Sequence, residues 1–142
     1  MPVPRTEFKV ARSFFRFYNH HNLQEMLAEC AEDAKLRLVP MGKQGDGEVH
    51  VLGAAFWSAL FKAIPDLFVV QKSMFGDNRA VTVEVVIGGT QQKKFEQIPS
   101  EGKQFELPHA FLMELNDRSK ISRITVYWDN VTLFSELGKT TL

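Results

Sequence analysis

The chain has 142 residues, which fits one domain over residues 1–142 with a core that hides roughly two-thirds of the unfolded chain's surface. Lys plus Arg and Asp plus Glu number 17 each, so the zero net charge gives no indication of nucleic acid or an anionic membrane as partner. Cys30 is the single cysteine, which excludes an internal disulfide. With no signal-peptide pattern or membrane-spanning run, we expect a soluble, cytoplasmic protein.

Two helices are predicted in the first part of the chain. Apolar residues recur at helical spacing over residues 8–18, and because they cover a wide face we expect this helix to be buried against a sheet. Asn22 and Glu25 have the spacing of a reciprocal cap, which predicts a second helix with apolar positions up to Cys30. The 12 phenylalanines of the chain indicate a wide core or an aromatic-lined cavity.

The next stretch changes pattern twice. Alternation over residues 36–38 predicts a short strand. The glycines at positions 42, 45 and 47 indicate a flexible excursion. A third helix is predicted over residues 52–63, and Pro65 ends it because the residue before a proline avoids the helical region.

From residue 67 the apolar residues alternate, which predicts strands. Gly-Asp-Asn-Arg at 76–79 is a favourable tight turn, so the first two strands should form a hairpin. The following segment is predicted to continue or re-enter the sheet. In order, the predicted strands cover residues 67–75, 80–87, 93–97, 104–115 and 121–128.

A short C-terminal helix completes the predicted elements. The Asp129-Asn130 pair offers an N-terminal cap after the last strand, and Gly138 ends the helix. Three helices followed by a run of antiparallel strands are typical of the α+β class, with the helices on one face of the sheet.

Several segments resemble the SnoaL-type polyketide cyclases, which belong to the wider nuclear transport factor 2-like superfamily. Their order along nearly the whole chain carries the resemblance, rather than any single motif. The segments are RFYNHHNLQEM (16–26), AIPDL (63–67), FEQIPSEGKQFEL (95–107), HAFLMEL (109–115), ISRITVYWDN (121–130) and LFSELG (133–138).

The resemblance implies a cone-shaped α+β barrel. In this fold three N-terminal helices pack on a strongly curved, mostly antiparallel sheet, a short C-terminal helix follows, and a deep apolar cavity opens at one end. The resemblance also implies a homodimer formed through the outer sheet face. We expect no metal and no nucleotide cofactor: the side chains of adjacent His20 and His21 point in different directions, and no third ligand completes a site.

The chain departs from this family at the residues that carry the chemistry. Members that act as cyclases pair a histidine in the penultimate strand with an aspartate in the last strand. Alignment on the Tyr-Trp-Asp segment of the last strand places the aspartate position at Val126 and the histidine position at Phe111. Neither side chain can accept or donate a proton, so an apolar wall replaces the usual acid-base pair.

Other residues could take over proton transfer. His109 lies two positions before Phe111 on the same strand face and could reach a ligand at the cavity mouth; alternatively, its ring is hydrogen-bonded or solvated. Asp129 could act as a base or cap the last helix. Tyr18 could direct its hydroxyl into the cavity or bury it in the core. The predicted cavity-lining residues are Tyr18, Trp57, Phe61, His109, Phe111, Val126 and Trp128.

Three functions are compatible with these features. We place first a pocket protein that binds an apolar, cyclic or polyketide-like small molecule. The second is a divergent cyclase, isomerase or lyase that uses His109 or Asp129. The third is a non-catalytic module that dimerises or docks a protein through the outer sheet face, where we expect Leu112, Thr125 and Tyr127. A cavity closed to below a few water volumes would favour the third function.

Overall fold

The computed structural model describes residues 6–77 and 79–138, so Asn78 of the predicted hairpin turn lies outside the described residues. Within them the helices are α1 (Thr6–Asn19), α2 (Leu23–Ala28), α3 (Ala54–Ala63) and α4 (Asn130–Glu136). The strands are β1 (Cys30–Leu38), β2 (Asp46–Glu48), β3 (Phe68–Asp77), β4 (Ala80–Thr90), β5 (Gln104–Leu115) and β6 (Ile121–Trp128). The predicted α+β class and the short C-terminal helix are confirmed. None of the described helices combines the length and apolarity that a membrane crossing requires.

The six described strands form one sheet in the order β2-β1-β6-β5-β4-β3. Neighbouring strands run antiparallel, except for β1 and β6, which are parallel. Register shifts between Gln71 and Ser73 and between Glu114 and Leu115 bend the sheet locally. The sheet is curled but unclosed, which confirms the strongly curved, mostly antiparallel sheet of the predicted cone-shaped fold.

Helix α1 packs on the sheet through a buried face of aromatic rings. Phe14, Phe15 and Tyr18 are almost fully buried together with Ala11, at the three- and four-residue spacing of one helix face. The Phe15 ring meets the Phe111 ring of β5 edge-on, with 4.9 Å between the ring centroids. The wide apolar face that the sequence predicts is therefore covered by the curled sheet.

The ends of the first two helices are fixed by asparagine side chains. Asn19 Oδ1 accepts a hydrogen bond of 2.8 Å from the backbone N–H of Val69, which ties the end of α1 to β3. Asn22 Oδ1 accepts from the Glu25 N–H at 3.2 Å and caps α2, as the sequence predicts. The first bond holds the end of α1 against β3, and the second fixes the start of α2.

Two sequence predictions about the first strand, its start and its length, were wrong. Cys30 does not lie on α2; it begins β1, where it pairs with Ile121 of β6. The predicted three-residue strand is therefore nine residues long, because pairing with a distant strand overrides the local helical pattern. The glycine excursion is a 3-10 turn, Val39–Gly45, followed by the short edge strand β2. Gly45 is buried within that turn against Leu38.

The prediction of a sheet strand over residues 93–97 was also wrong. In this segment only Phe95 and Ile98 bridge to each other, around a turn in which Glu96 and Gln97 have positive φ. The preceding Gln92 N–H donates to the Ala63 carbonyl at 2.7 Å instead of to a strand. The segment therefore leaves the sheet at the end of β4 and crosses to α3.

Candidate functional site

An apolar cavity lies between α1, α3, β5, β6 and α4. Six of the seven predicted lining residues are among the fifteen described residues of its wall, and the other nine are leucine, isoleucine or phenylalanine. None of these fifteen residues is Asp, Glu, Lys or Arg. The six residues shared with the prediction are Tyr18, Trp57, His109, Phe111, Val126 and Trp128.

The interior of the cavity is small. Its volume is about 40 Å³. Ligand pockets usually measure roughly 300–1,000 Å³. The expected deep cavity is thus largely filled, because Phe14, Tyr18 and Trp57 contact one another edge-on with centroids 5.7 to 6.2 Å apart.

Phe111 and Val126 are direct partners across the antiparallel pair β5–β6. Both side chains are buried, with exposed fractions of 1% and 2%. Directly opposed residues share one face of a sheet, so Phe111 and Val126 meet on the cavity wall. The structure places a ring and a branched alkyl group there.

His109 lies two cross-strand pairs closer to the end of β6, directly opposite Trp128. Its ring packs against the Trp128 ring at 5.5 Å and the Phe111 ring at 6.2 Å between centroids. Nδ1 lies 3.0 Å from the Leu107 carbonyl oxygen. Because that oxygen can only accept, Nδ1 carries the proton and donates it.

Burial lowers the pKa of His109 from 6.5 to about 4, and the hydrogen bond to Leu107 only partly opposes this shift. The imidazole is therefore neutral at pH 7. With the proton on Nδ1, Nε2 has a lone pair and can act as a hydrogen-bond acceptor or as a base.

Tyr18 carries a second polar atom of the wall. Its side chain is 2% exposed, and burial raises the pKa of its hydroxyl well above the usual value, while the neighbouring Trp57 indole lowers it in part. The hydroxyl therefore stays protonated and can donate a hydrogen bond. The Tyr18 ring lies edge-on to Phe111 at 6.3 Å.

Asp129 lies at the N-terminus of α4, outside the described cavity wall, and its side chain is exposed. Oδ1 accepts hydrogen bonds from the N–H groups of Val131 and Thr132 at 3.0 and 3.1 Å. Oδ2 accepts from the Thr132 hydroxyl at 2.9 Å. These bonds, chiefly those from Thr132, lower the pKa of Asp129. The structure shows a helix cap at this position.

Phe61 is the one predicted lining residue that is not among the described residues of the cavity wall. Its ring lies edge-on to Tyr18 at 5.7 Å and is stacked on His21 at 4.5 Å. His21 in turn lies 2.8 Å from the Leu67 carbonyl through Nε2, so it has a structural partner. Among the described residues, no three His, Cys, Asp or Glu side chains are grouped to hold a metal ion.

Some wall residues were not among the predicted lining residues. Phe95 reaches the wall from the loop after β4, and Leu133 and Leu137 reach it from α4. The loop is folded around the buried Gln91, whose Nε2 donates to the Ile98 carbonyl at 2.7 Å. The apolar residues of both segments were a sequence signal of burial. Because both segments are distant from α1 along the chain, the sequence did not show that they contact the same cavity.

Comparison with known proteins identifies a family and a fold. The family model described as SnoaL-like polyketide cyclase matches residues 8–137. A comparison with curated protein sequences finds no match. The structure is similar to that of a candidate SnoaL-like polyketide cyclase from Jannaschia Sp. CCS1, with TM-score 0.85, 16% identity and coverage of 100% of this chain and 97% of that chain.

Two further solved structures are similar. IdmH, a candidate polyketide cyclase from Streptomyces antibioticus, has TM-score 0.78 and 21% identity, and the match covers 94% of this chain and 99% of that one. TerC, which was co-crystallised with polyporic acid, has TM-score 0.75 and 13% identity, with coverage of 94% and 98%. At these identities the likeness establishes the fold.

The neutral state of His109 predicts a specific loss of stability in acid. Between pH 6.5 and about 4 the unfolded chain binds a proton at His109 that the folded chain does not, so acid favours unfolding. Below about pH 4 the folded histidine is protonated too, and the loss levels off at up to roughly 3 kcal/mol.

Urea denaturation of the wild type and His109→Phe tests this prediction. Phenylalanine keeps a ring beside Trp128 but cannot titrate, while the other histidines titrate in both proteins. The difference in unfolding free energy between the two proteins should change between pH 6.5 and 4. A constant difference across that range would show that folded His109 titrates normally.

Proposed function

Because this chain belongs to the SnoaL-like polyketide cyclase family, we propose that it binds an apolar, ring-containing small molecule of polyketide type beside Phe111, Val126 and Trp128. The observation that carries this proposal is the composition of the wall: fifteen described residues without a formally charged side chain at neutral pH. Such a wall favours burial of apolar rings and disfavours an unpaired charge. The co-crystallisation of TerC with polyporic acid supports small-molecule binding by this fold.

A ligand of this class needs more room than the cavity offers in this conformation. Even benzene occupies engineered cavities of about 150 Å³. Four wall residues are partly exposed and form the side of the cavity that faces solvent: Phe56, His109, Trp128 and Leu133. We infer that ligand entry displaces these side chains, with α4 carrying Leu133 outward.

Replacing Phe111 by alanine should convert part of the filled interior into a binding site for a small ring. The loss of a buried ring costs about 3–5 kcal/mol of stability, part of which a ligand restores by occupying the space. Benzene should raise the Tm of Phe111→Ala more than that of the wild type, and naphthalene should raise the Tm of both.

Phe75→Ala is the matched control, since Phe75 is 62% exposed and its removal opens no cavity. Phe111→Leu is a milder variant if the alanine protein does not fold. Absence of any ligand-dependent Tm change in the wild type and both Phe111 variants would contradict the proposed pocket.

A second candidate function is acid-base catalysis without a metal or nucleotide cofactor. The observation that favours it is the presence on one wall of a neutral imidazole with an accepting Nε2 and a protonated Tyr18 hydroxyl. Removing a proton beside a carbonyl needs a base and a donor for the developing enolate. His109 and Tyr18 supply these groups, so this cyclase, isomerase or lyase activity would use His109 rather than Asp129.

Proton exchange at the carbon beside the carbonyl of 2-tetralone, followed by NMR in D2O, tests the catalytic function. His109→Phe should reduce the enzyme-dependent exchange rate by about 100-fold or more, because it removes the base. Asp129→Asn should leave the rate unchanged, since asparagine also caps helices. An equal rate in the wild type and His109→Phe would exclude His109 as the base.

A third candidate function, a dimerisation or docking module, is favoured by the small cavity volume. On the outer face, Leu112 of β5 pairs with Thr125 of β6, and Leu112 and the nearby Tyr127 are 38% and 45% exposed. Phe75 extends this apolar row through Thr82 of β4. We propose that this face forms a homodimer.

Sedimentation equilibrium tests the dimer. The wild type should sediment as a dimer at micromolar concentration, and Leu112→Lys with Tyr127→Lys should sediment as a folded monomer because the lysines place charge in an apolar interface. Val51→Lys, at a position that is 66% exposed and outside the strands of the sheet, is the control and should leave the dimer intact. A wild type that sediments as a monomer would contradict the proposed dimer.

A further inference from the structure

We propose that His109 makes the cavity selective for neutral ring compounds that carry a hydroxyl group, such as a phenol or an enol. In the proposed complex, the ligand hydroxyl donates a hydrogen bond to Nε2 of the imidazole. This inference rests on the proposed function, since it concerns which apolar rings the same cavity prefers.

The tautomer of His109 is fixed by the backbone of its own strand. Nδ1 donates to the Leu107 carbonyl oxygen at 3.0 Å, and both residues belong to β5. A neutral imidazole has one N–H group, so Nε2 can only accept. Contacts with Phe111 and Trp128 restrict the rotation of the ring. His109 therefore presents an acceptor whose orientation is set before a ligand arrives.

Nε2 is reachable by a ligand. Within the described residues, Nε2 has no hydrogen-bond partner in the protein. Among the described residues, Gln91 Oε1 is the only side-chain nitrogen or oxygen atom that is both fully enclosed and without a hydrogen-bond partner. Nε2 of His109 also lacks a partner but is not fully enclosed, so it retains accessible surface. His109 lies on the cavity wall. This nitrogen is thus an unoccupied acceptor of the cavity or its mouth.

The chemistry of the wall sets the ligand class. An apolar ring without a donor displaces water from Nε2 and leaves the acceptor unpaired, which weakens binding. A carboxylate finds no cationic side chain among the fifteen described wall residues and must lose its hydration. A phenol stays protonated at pH 7, as tyrosine does, and supplies both the ring and the donor.

Matched ligands separate the hydroxyl preference from ring binding. Dissociation constants are measured by NMR titration at pH 7 for 2-naphthol, 2-methylnaphthalene and 2-naphthoate. The first two differ by a hydroxyl and a methyl group of similar size. The ratio of their constants is compared in the wild type, His109→Phe and His109→Gln. Glutamine can place an amide oxygen near the position of Nε2, whereas phenylalanine keeps the ring without an acceptor.

We expect the preference for 2-naphthol over 2-methylnaphthalene to fall about fivefold to tenfold in His109→Phe. His109→Gln should retain most of the preference, and 2-naphthoate should bind more weakly than 2-naphthol to the wild type. A ratio that is unchanged in His109→Phe would overturn the hydroxyl preference while leaving ring binding intact. A ratio that falls equally in His109→Phe and His109→Gln would overturn the acceptor role. If none of the three compounds binds the wild type, the proposed function itself fails.

Discussion

The edge-on contact between Phe15 of α1 and Phe111 of β5 is the constraint on which the interior depends. The centroids of the two rings lie 4.9 Å apart. The curled sheet can cover α1 only if its inward residues fit these rings. Phe111 meets this requirement and also contacts Tyr18. The inward-facing ring at position 111 therefore stabilises the core in this chain.

The Phe111 ring also affects the chemistry of His109, two positions away on the same strand. Phe111 and Trp128 flank His109 on its own strand and across the pair, and the apolar surroundings lower the pKa of His109 to about 4. A histidine in this environment cannot act as a cation near neutral pH. It can act as an acceptor or a base. The apolar surroundings that Phe111 and Trp128 help to form thus keep the imidazole of His109 neutral near pH 7.

Much of the fold could be predicted from local patterns. Strands 104–115 and 121–128 were predicted with the bounds that the structure shows, because alternation of inward and outward residues persists through both. The start of β1 could not be predicted, since Cys30 joins the sheet by pairing with Ile121, a contact distant in sequence. Residues 93–97 also look like a strand, but positive φ at Glu96 and Gln97 turns the chain back.

The site was less accessible to sequence reasoning than the fold. Because side chains alternate between the two faces of a strand, the sequence alone indicates that His109, Phe111 and Val126 share a face of the sheet. The cavity volume, in contrast, depends on how the rings of α1 and α3 interlock. Phe61 illustrates the difference: it lies one position from Leu60 of the wall, yet its ring turns to stack on His21.

The close packing of these rings places stability and binding in competition. Aromatic side chains that fill the cone stabilise the folded chain, and some wall residues must yield space before the proposed ring-containing ligand can enter. The residues able to yield are those already near solvent, Trp128 and Leu133 among them, because moving them uncovers the least buried apolar surface. Asp129 caps α4 through hydrogen bonds to its first turn. For the proposed ligand, affinity would therefore depend on the free energy needed to shift α4 and the mouth residues.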